Sequence, residues 1–147
     1  LSREIPENKN QVVGCHAFYV LDNIQMKRGC DIIFPGGYFH EDTLVFESEE
    51  SVQLLNRIRI NKAFFAAGGV SSELGVTCAN PFVLNIKRAM LDSSRTKILL
   101  VDSSKFSAVK KVYYADLNEF DAIITDEKIP DEYRDVIERT GIRLYIA

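Results

Sequence analysis

The stretch FFAAGGVSSELGVTCANP, residues 64–81, decides the predicted fold. It opens with an apolar run that does not alternate with polar residues, as is typical of a strand covered on both faces of its sheet. A pair of glycines and a polar segment follow, and the stretch ends on Asn80 and Pro81, a good helix N-cap and a good first helical residue. It therefore predicts a buried strand over residues 63–67, a Gly-rich polar loop, and a helix over residues 81–95.

The rest of the chain repeats this order of apolar strand and helix. Further strands are predicted over residues 11–15, 30–34, 44–46, 97–101, 122–125 and 143–146, with an edge strand over 112–115. Further helices are predicted over residues 17–28, from a Ser48 or Ser51 cap to residue 58, and over 130–140 before Gly141. Buried strands that alternate with helices indicate an α/β fold with a mainly parallel open sheet flanked by helices. Ligands of such sheets bind along the edge formed by the carboxyl ends of the strands.

The composition limits the class of protein. The 147 residues are 46% hydrophobic and 27% charged, which suits one globular domain, and no run is apolar and long enough to span a membrane. The net charge of −3 argues against a nucleic-acid-binding surface on this segment. Cys15, Cys30 and Cys78 lack the paired spacing of a disulfide framework. We therefore expect reduced thiols, and the first ten residues are polar and lack a signal-peptide core. Both features predict a cytoplasmic protein. No cofactor is indicated.

The segment after the first glycine pair is a candidate binding loop. Gly68 and Gly69 allow positive φ angles and close approach of a ligand to the main chain. The free N–H groups at the start of the following helix suit an anion such as a phosphate. The loop and the helix also supply polar side chains, from Thr77, Cys78, Asn80 and Lys87. The alternative, a tight turn and a helix cap without a ligand, is favoured when this stretch is taken alone.

Two further segments follow predicted strands with comparable chemistry. VDSSKF, residues 101–106, brings hydroxyl groups and Lys105, whose charge suits a phosphate or a carboxylate. FPGGYF, residues 34–39, brings two glycines and a tyrosine, which are Gly36, Gly37 and Tyr38. A solvated turn capped by an aspartate is the alternative for the first segment, and a hairpin-like turn is the alternative for the second. Together the three strand ends predict a shared ligand site.

Four segments in this order resemble the effector-sensing domain of the DeoR family of bacterial transcription regulators. They are KAFFAAGGVSSELGVTCANPFVLNIKRAM, ILLVDSSKF, FDAIITDEKIP and the terminal GIRLYIA, and FPGGYF fits the family's Gly-Gly segment. The resemblance implies a fold related to ribose-5-phosphate isomerase and the coenzyme A transferases. It also implies a sugar-phosphate effector, and a protein that binds DNA through an N-terminal winged helix-turn-helix rather than through this segment. A palindromic operator would favour a homo-oligomer.

The sequence departs from the family pattern at several places. The Asp-x-Gly-Thr-Thr phosphate loop of the family's first sensor strand does not occur before Gln11. We therefore expect residues 1–147 to form a single effector-sensing domain that lacks this strand and the winged helix-turn-helix domain. Many members carry an acid in place of Gly68, and GCHAF stands in place of the Thr-Asn-Ser loop. The AAG and TCAN forms are similar to those of the deoxyribonucleoside-operon repressor, which makes deoxyribose 5-phosphate the first candidate effector.

The sequence thus predicts a sensor, most simply a repressor, and not an enzyme. In this hypothesis backbone N–H groups, Lys105 and Lys87 hold the phosphate, Gly36 and Gly37 form the neighbouring turn, and the sugar lies against Gly68 and Gly69. Hydroxyl groups are read by Thr77, Cys78 and Asn80, and the ring is covered by Tyr38.

Two other functions are weighed against the sensor. A sugar-phosphate isomerase on the same fold needs a general base, and Glu73 is the acid in the Gly-rich loop. A metal site would use Cys15, His16, Cys30 and His40, whose spacings match no familiar zinc pattern.

Overall fold

A computed structural model describes residues 1–7 and 11–147, so residues 8–10 of the polar N-terminal stretch lie outside the described part. The described residues divide into two compact units, Leu1–Leu54 and Leu55–Ala147. The expectation of a single sensing domain stays a prediction. None of the helices within the described ranges combines the length and the apolar character that crossing a membrane requires.

The first unit contains a parallel strand pair and an antiparallel hairpin. The chain runs through a 3₁₀ turn (Ser2–Glu4), β1 (Gln11–Gly14), α1 (Phe18–Ile24), β2 (Cys30–Ile33), β3 (Tyr38–His40) and β4 (Val45–Glu47) into the first half of α2 (Glu49–Arg57). β1 pairs with β2 in parallel and β3 with β4 in antiparallel fashion. Phe46 packs against the rings of Phe34 and Phe39 at centroid distances of 5.0 and 4.8 Å. Helix α2 starts after Ser48, whose Oγ accepts the Ser51 N–H at 3.1 Å, so Ser48 is the cap.

The second unit is built on a parallel sheet. Its elements are β5 (Ile60–Phe65), β6 (Gly69–Ser71), β7 (Gly75–Cys78), α3 (Leu84–Ser93), β8 (Ser94–Leu100), β9 (Val112–Ala115), β10 (Ala122–Thr125), α4 (Asp131–Thr140) and β11 (Arg143–Ile146), with 3₁₀ turns at Pro81–Val83, Ser103–Lys105 and Leu117–Glu119. Within the described residues four strands pair in parallel in the order β11-β10-β8-β5. Helices flank this sheet, which confirms the predicted α/β class. Leu99 and Ile123, on its central strands, are fully buried.

Strand β5, at the edge of this sheet, differs from its prediction. Its residues alternate between exposed and buried, and Phe64 is 40% exposed while Phe65 is 2% exposed. Phe64 and Phe65 point to opposite faces of the sheet, so one face of β5 is exposed and the expectation of a strand buried on both faces was wrong for β5.

The helix after Pro81 also differs from its prediction. The spacing of Phe82, Ile86 and Met90 predicts a core-facing stripe, but Phe82 and Met90 are only partly buried. The buried side chains of this region include Val83, Ile86 and Ala89. The segment begins as a 3₁₀ turn with three residues per turn, so the buried face is offset from the one that a regular α-helix would have.

The stretch between the glycines and Asn80 was predicted as a polar loop and is instead a β-hairpin. Strands β6 and β7 pair in antiparallel fashion, and β7 also pairs with β9. The turn at residues 72–74 ends on Gly75, whose φ of 73° is one that glycine adopts readily. Val70 and Val76 are fully buried, so the hairpin folds because it covers apolar surface.

Candidate functional site

A cleft of about 420 Å³ lies at the carboxyl ends of the parallel strands of the second unit. Its wall includes Ala66 and Ala67 after β5, Asp102 and Lys105 after β8, and Thr125 and Asp126 at the end of β10. Parallel strands place these residues together because their carboxyl ends meet at one edge of the sheet. The volume is within the usual range for a small-molecule site.

The turn after β8 brings a cation to this cleft. Lys105 Nζ lies 3.7 Å from Asp102 Oδ2, and both side chains are partly exposed. The N–H groups at the start of the turn are already bonded, because Ser103 N–H donates to Asp126 Oδ2 at 2.7 Å and Ser104 N–H to Asp102 Oδ1 at 2.9 Å. Hydrogen bonds from the Ser104 hydroxyl and from the Ser103 N–H hold the pKa values of Asp102 and Asp126, respectively, below their usual range. Lys105 is therefore the group in this turn that suits a phosphate.

The glycine pair after β5 serves backbone packing. The φ angles of Gly68 and Gly69 are not positive, contrary to the reason given for glycine there. A Cβ atom on Gly69 would lie 2.2 Å from the backbone oxygen of Ala108. Gly68 N–H donates to the Thr77 carbonyl at 2.8 Å. Thr77 is 2% exposed, and its hydroxyl donates to Gly69 O at 3.2 Å and accepts the Lys110 N–H at 2.9 Å.

Three more predicted site residues lie around the end of β7 and on α3. Cys78 Sγ approaches Asn80 O at 3.7 Å, and burial raises the pKa of the Cys78 thiol. Asn80 occupies the N-cap position before Pro81, but its side chain makes no capping hydrogen bond. Lys87 Nζ donates to Ala66 O at 2.6 Å and lies 4.5 Å from the ring centroid of Tyr114. Burial of the ammonium group lowers the pKa of Lys87 to about 8.

The two predicted loops of the second unit are neighbours. Ser107 N–H donates to Val70 O at 2.9 Å, and the Tyr133 hydroxyl donates to the same carbonyl oxygen at 3.2 Å. Ala66, which Lys87 contacts, lines the same cleft as Lys105. Of the seven predicted site residues in this unit, Lys105 lines the described cleft wall. The other six lie on the hairpin (Gly69, Thr77 and Cys78), directly beside it in the chain (Gly68 and Asn80) and on α3 (Lys87).

The remaining three predicted residues belong to the first unit. Gly36 and Gly37 have φ angles of 72° and 118°, as the predicted turn requires. Gly36 O accepts a hydrogen bond from the Ser51 hydroxyl at 3.0 Å. Tyr38 begins β3 and is 78% exposed. The turn joins β2, which pairs with β1, to β3, which pairs with β4, so it is not the hairpin-like turn that the alternative predicted. The contribution of these residues to a shared site stays a prediction.

Sequence reasoning missed two residues beside this cleft. Thr125 ends β10 and lines the cleft, and Tyr114 donates from its hydroxyl to Ala66 O at 3.0 Å. The signal for Thr125 was a polar residue at the end of the apolar run AIIT. The signal for Tyr114 was the adjacent pair Tyr113 and Tyr114 in the predicted edge strand, since successive side chains of a strand point to opposite faces. Tyr114 is fully buried and Tyr113 is 49% exposed.

The residues of the two alternative functions, a sugar-phosphate isomerase and a metal site, lie in the following surroundings. Glu73 is exposed at the tip of the β6–β7 hairpin and does not line the described cleft wall. No cluster of three or more metal-ligating side chains occurs within residues 1–7 and 11–147. Cys15 is partly buried, and desolvation raises the pKa of its thiol to about 11, which disfavours the thiolate form that binds metals.

Comparison with known proteins identifies the family. The model of the DeoR C-terminal sensor domain matches residues 1–127. The deoxyribose operon repressor of Escherichia coli K12 is 30% identical over 130 residues, which are 88% of this chain and 52% of the repressor. The transcriptional repressor GlcR of Bacillus subtilis is 29% identical over 126 residues, 86% of this chain and 48% of GlcR. The L-fucose operon activator of Haemophilus influenzae is 27% identical over 127 residues, 86% of this chain and 51% of the activator.

The chain spans about half the length of the curated relatives it matches. Those relatives are regulators of transcription, and the matching family model describes a sensor domain. The family is therefore regulatory and not enzymatic, which excludes the isomerase alternative. On the extent of the family match and the parallel α/β fold, this chain belongs to the family of DeoR C-terminal sensor domains.

Proposed function

We propose that this chain senses a phosphorylated sugar in the cleft at the carboxyl ends of β5, β8 and β10. The observation that carries the proposal is Lys105, a cation that lines this cleft. A lysine ammonium is a compact charge that binds phosphate well in a partly enclosed site. The Ala66 and Ala67 side of the cleft provides apolar surface for the carbon skeleton of the ligand.

The names of the relatives support the sugar part of this proposal. One is a repressor of a deoxyribose operon and another an activator of an L-fucose operon. The AAG and TCAN forms and the similarity to the deoxyribose operon repressor favour deoxyribose 5-phosphate as the first candidate.

We propose different roles for the other predicted residues of the second unit. Lys87 holds the Ala66 carbonyl at one wall of the cleft and supports its shape. Gly68, Gly69 and Thr77 build the hairpin beside it. Cys78 and Asn80 remain candidates for contact with hydroxyl groups.

The whole protein, in this proposal, is a cytoplasmic transcription regulator that acts as a homo-oligomer. Its DNA contacts come from a separate winged helix-turn-helix domain, in keeping with the net charge of −3 of this chain. The effector changes DNA binding by its different affinity for two states of the protein. Repression is favoured by the two repressors among the relatives.

A thermal-shift screen of phosphorylated and free pentoses and hexoses tests the proposal. An effector at about a hundred times its dissociation constant adds about 2.7 kcal/mol to the free energy of unfolding, and its unphosphorylated form adds little. Lys105→Ala is expected to abolish the preference for the phosphorylated form while changing the stability of the free protein by less than about 0.5 kcal/mol, because its ion pair with Asp102 is exposed.

Lys111→Ala is the matched control, since Lys111 is exposed and lies outside the described cleft wall. An unaltered preference in Lys105→Ala would refute the phosphate role of Lys105. A wild-type protein that responds to none of the sugar phosphates would refute the proposed function.

A further inference from the structure

The carboxyl end of β10 holds a buried hydroxyl to which the described part of the chain offers no partner. Thr125 is 3% exposed, and within residues 1–7 and 11–147 its Oγ1 has no hydrogen-bond partner. Its carbonyl oxygen accepts the Ala147 N–H at 2.9 Å, so the main chain is engaged and the side-chain hydroxyl is the group left over. Burying such a group costs its hydrogen bonds with water and returns none, so native proteins seldom retain one without a reason.

Other hydroxyl groups of the same unit are satisfied within the protein. The Thr77 hydroxyl has a donor and an acceptor partner, the Ser93 hydroxyl donates to Leu55 O at 2.8 Å, and the Tyr114 hydroxyl donates to Ala66 O at 3.0 Å. The hydroxyl of Thr125 differs from these because Thr125 also lines the cleft that contains Lys105. A ligand in that cleft is therefore the natural source of its missing partner.

The charges beside Thr125 indicate the chemistry of that ligand. Asp102 and Asp126 line the same cleft. Their carboxylates accept hydrogen bonds from the N–H groups of Ser103, Ser104 and Lys128 and keep further lone pairs for a ligand. A threonine hydroxyl donates and accepts, whereas a carboxylate accepts only. A polyhydroxylated carbon chain can satisfy all of these groups at once, and Lys105 is suited to an attached phosphate.

Resting on the proposed function, we propose that Thr125 is a specificity-determining residue whose hydroxyl binds a hydroxyl group of the effector's carbon chain. The cleft then selects phosphate esters of polyols and sugars over alkyl phosphates and inorganic phosphate. Selectivity arises because a ligand without the hydroxyl leaves the Thr125 hydroxyl buried and unpaired in the complex.

The test is calorimetric titration of the full chain with 2-deoxyribose 5-phosphate, ribose 5-phosphate, glucose 6-phosphate, propyl phosphate and inorganic phosphate. The wild-type protein is expected to bind a sugar phosphate more tightly than propyl phosphate. Thr125→Val keeps the shape of the side chain and is expected to weaken the binding of the sugar phosphate roughly tenfold. Its affinity for propyl phosphate should stay within about twofold of wild type, and Thr125→Ser, which restores a hydroxyl, should recover most of the selectivity.

Each other result contradicts the inference. If Thr125→Val retained the full preference for the sugar phosphate, Thr125 would not read a hydroxyl, although the proposed function would stand. If Thr125→Val weakened the binding of propyl phosphate as much as that of the sugar phosphate, Thr125 would only shape the cleft. A Thr125→Val protein that failed to fold would mean that the hydroxyl has a partner in the native state. If the wild-type protein bound no phosphate ester, both this inference and the proposed function would be overturned.

Discussion

Two regions of the second unit use the same kinds of residue for different purposes. After β5, the chain supplies Gly69 and Thr77, and their polar groups bond to each other and to Lys110 in a hairpin. After β8 and β10, it supplies Lys105 and Thr125, which line a cleft, and Thr125 keeps an unpartnered hydroxyl within the described residues. Small and polar residues at strand ends therefore do not by themselves indicate a binding site. The difference is whether a neighbouring segment of backbone comes close enough to satisfy them.

Substitution of Gly69 is the strongest way to test the structural side of this comparison. In Gly69→Ala the new Cβ atom would lie 2.2 Å from Ala108 O, so the backbone must shift. We expect a loss of about 3 kcal/mol in the free energy of unfolding, measured by urea denaturation. Gly14→Ala is the control, because its Cβ atom would approach Ile33 O no closer than 3.9 Å. A change in Gly69→Ala as small as in the control would show that this close approach does not constrain the fold.

The same substitution at two threonines compares the regions directly. Thr77→Val leaves the Lys110 N–H and the Gly69 carbonyl without their side-chain partner, so a loss of about 2 kcal/mol in the free energy of unfolding is expected. Thr125→Val removes a hydroxyl that has no partner in the described residues, so stability should change by less than about 0.5 kcal/mol or should rise. Urea denaturation of both variants measures these changes. Equal losses of stability in Thr77→Val and Thr125→Val would contradict the distinction between the two regions.

The buried ammonium group of Lys87, which contacts Ala66 where the two regions meet, predicts that the stability of the protein depends on pH. Burial lowers the pKa of Lys87 from 10.5 to about 8. Between those pH values the unfolded chain binds more protons than the folded one, so this lysine makes the free energy of unfolding rise with pH. Its cost to stability is nearly constant below about pH 7, where the lysine is protonated in both states. Wild type should gain about 2 kcal/mol over Lys87→Met between pH 8 and pH 10.

Urea denaturation at pH 7, 8, 9 and 10 measures this difference. Lys111→Met, at an exposed position, serves as the reference for general effects of charge removal. A constant difference between wild type and Lys87→Met across the series would mean that Lys87 titrates in the folded protein as it does in the unfolded chain.

Much of the fold was predictable because local signals and tertiary structure agree. The apolar runs KILLV and AIIT predict strands, and β8 and β10 form there in a parallel sheet. Gly141 predicts the end of α4, and it follows Thr140 with a φ of 74°. The β6–β7 hairpin was missed because its strands are only three and four residues long, and such short runs look like loop.

The candidate site was predictable in part. Lys105 after a buried strand was identified as a cation at the carboxyl edge of the sheet, and it does line the cleft there. The hydrogen bonds of Thr77 were not predictable, since they depend on partners far away in the sequence. Nor was it predictable that the Thr125 hydroxyl has no partner among the residues that the structure describes. Residue type alone does not distinguish these two threonines.

The sequence by itself determined the family, the parallel α/β class and the placing of polar residues at strand ends, because these follow from periodicity and motif order along the chain. Only the tertiary structure decided which of those residues are satisfied by the protein and which are left for a ligand. Hydrogen bonding is settled over a few ångströms in space, and residues such as Thr77 and Lys110 meet there although 33 positions separate them in the chain.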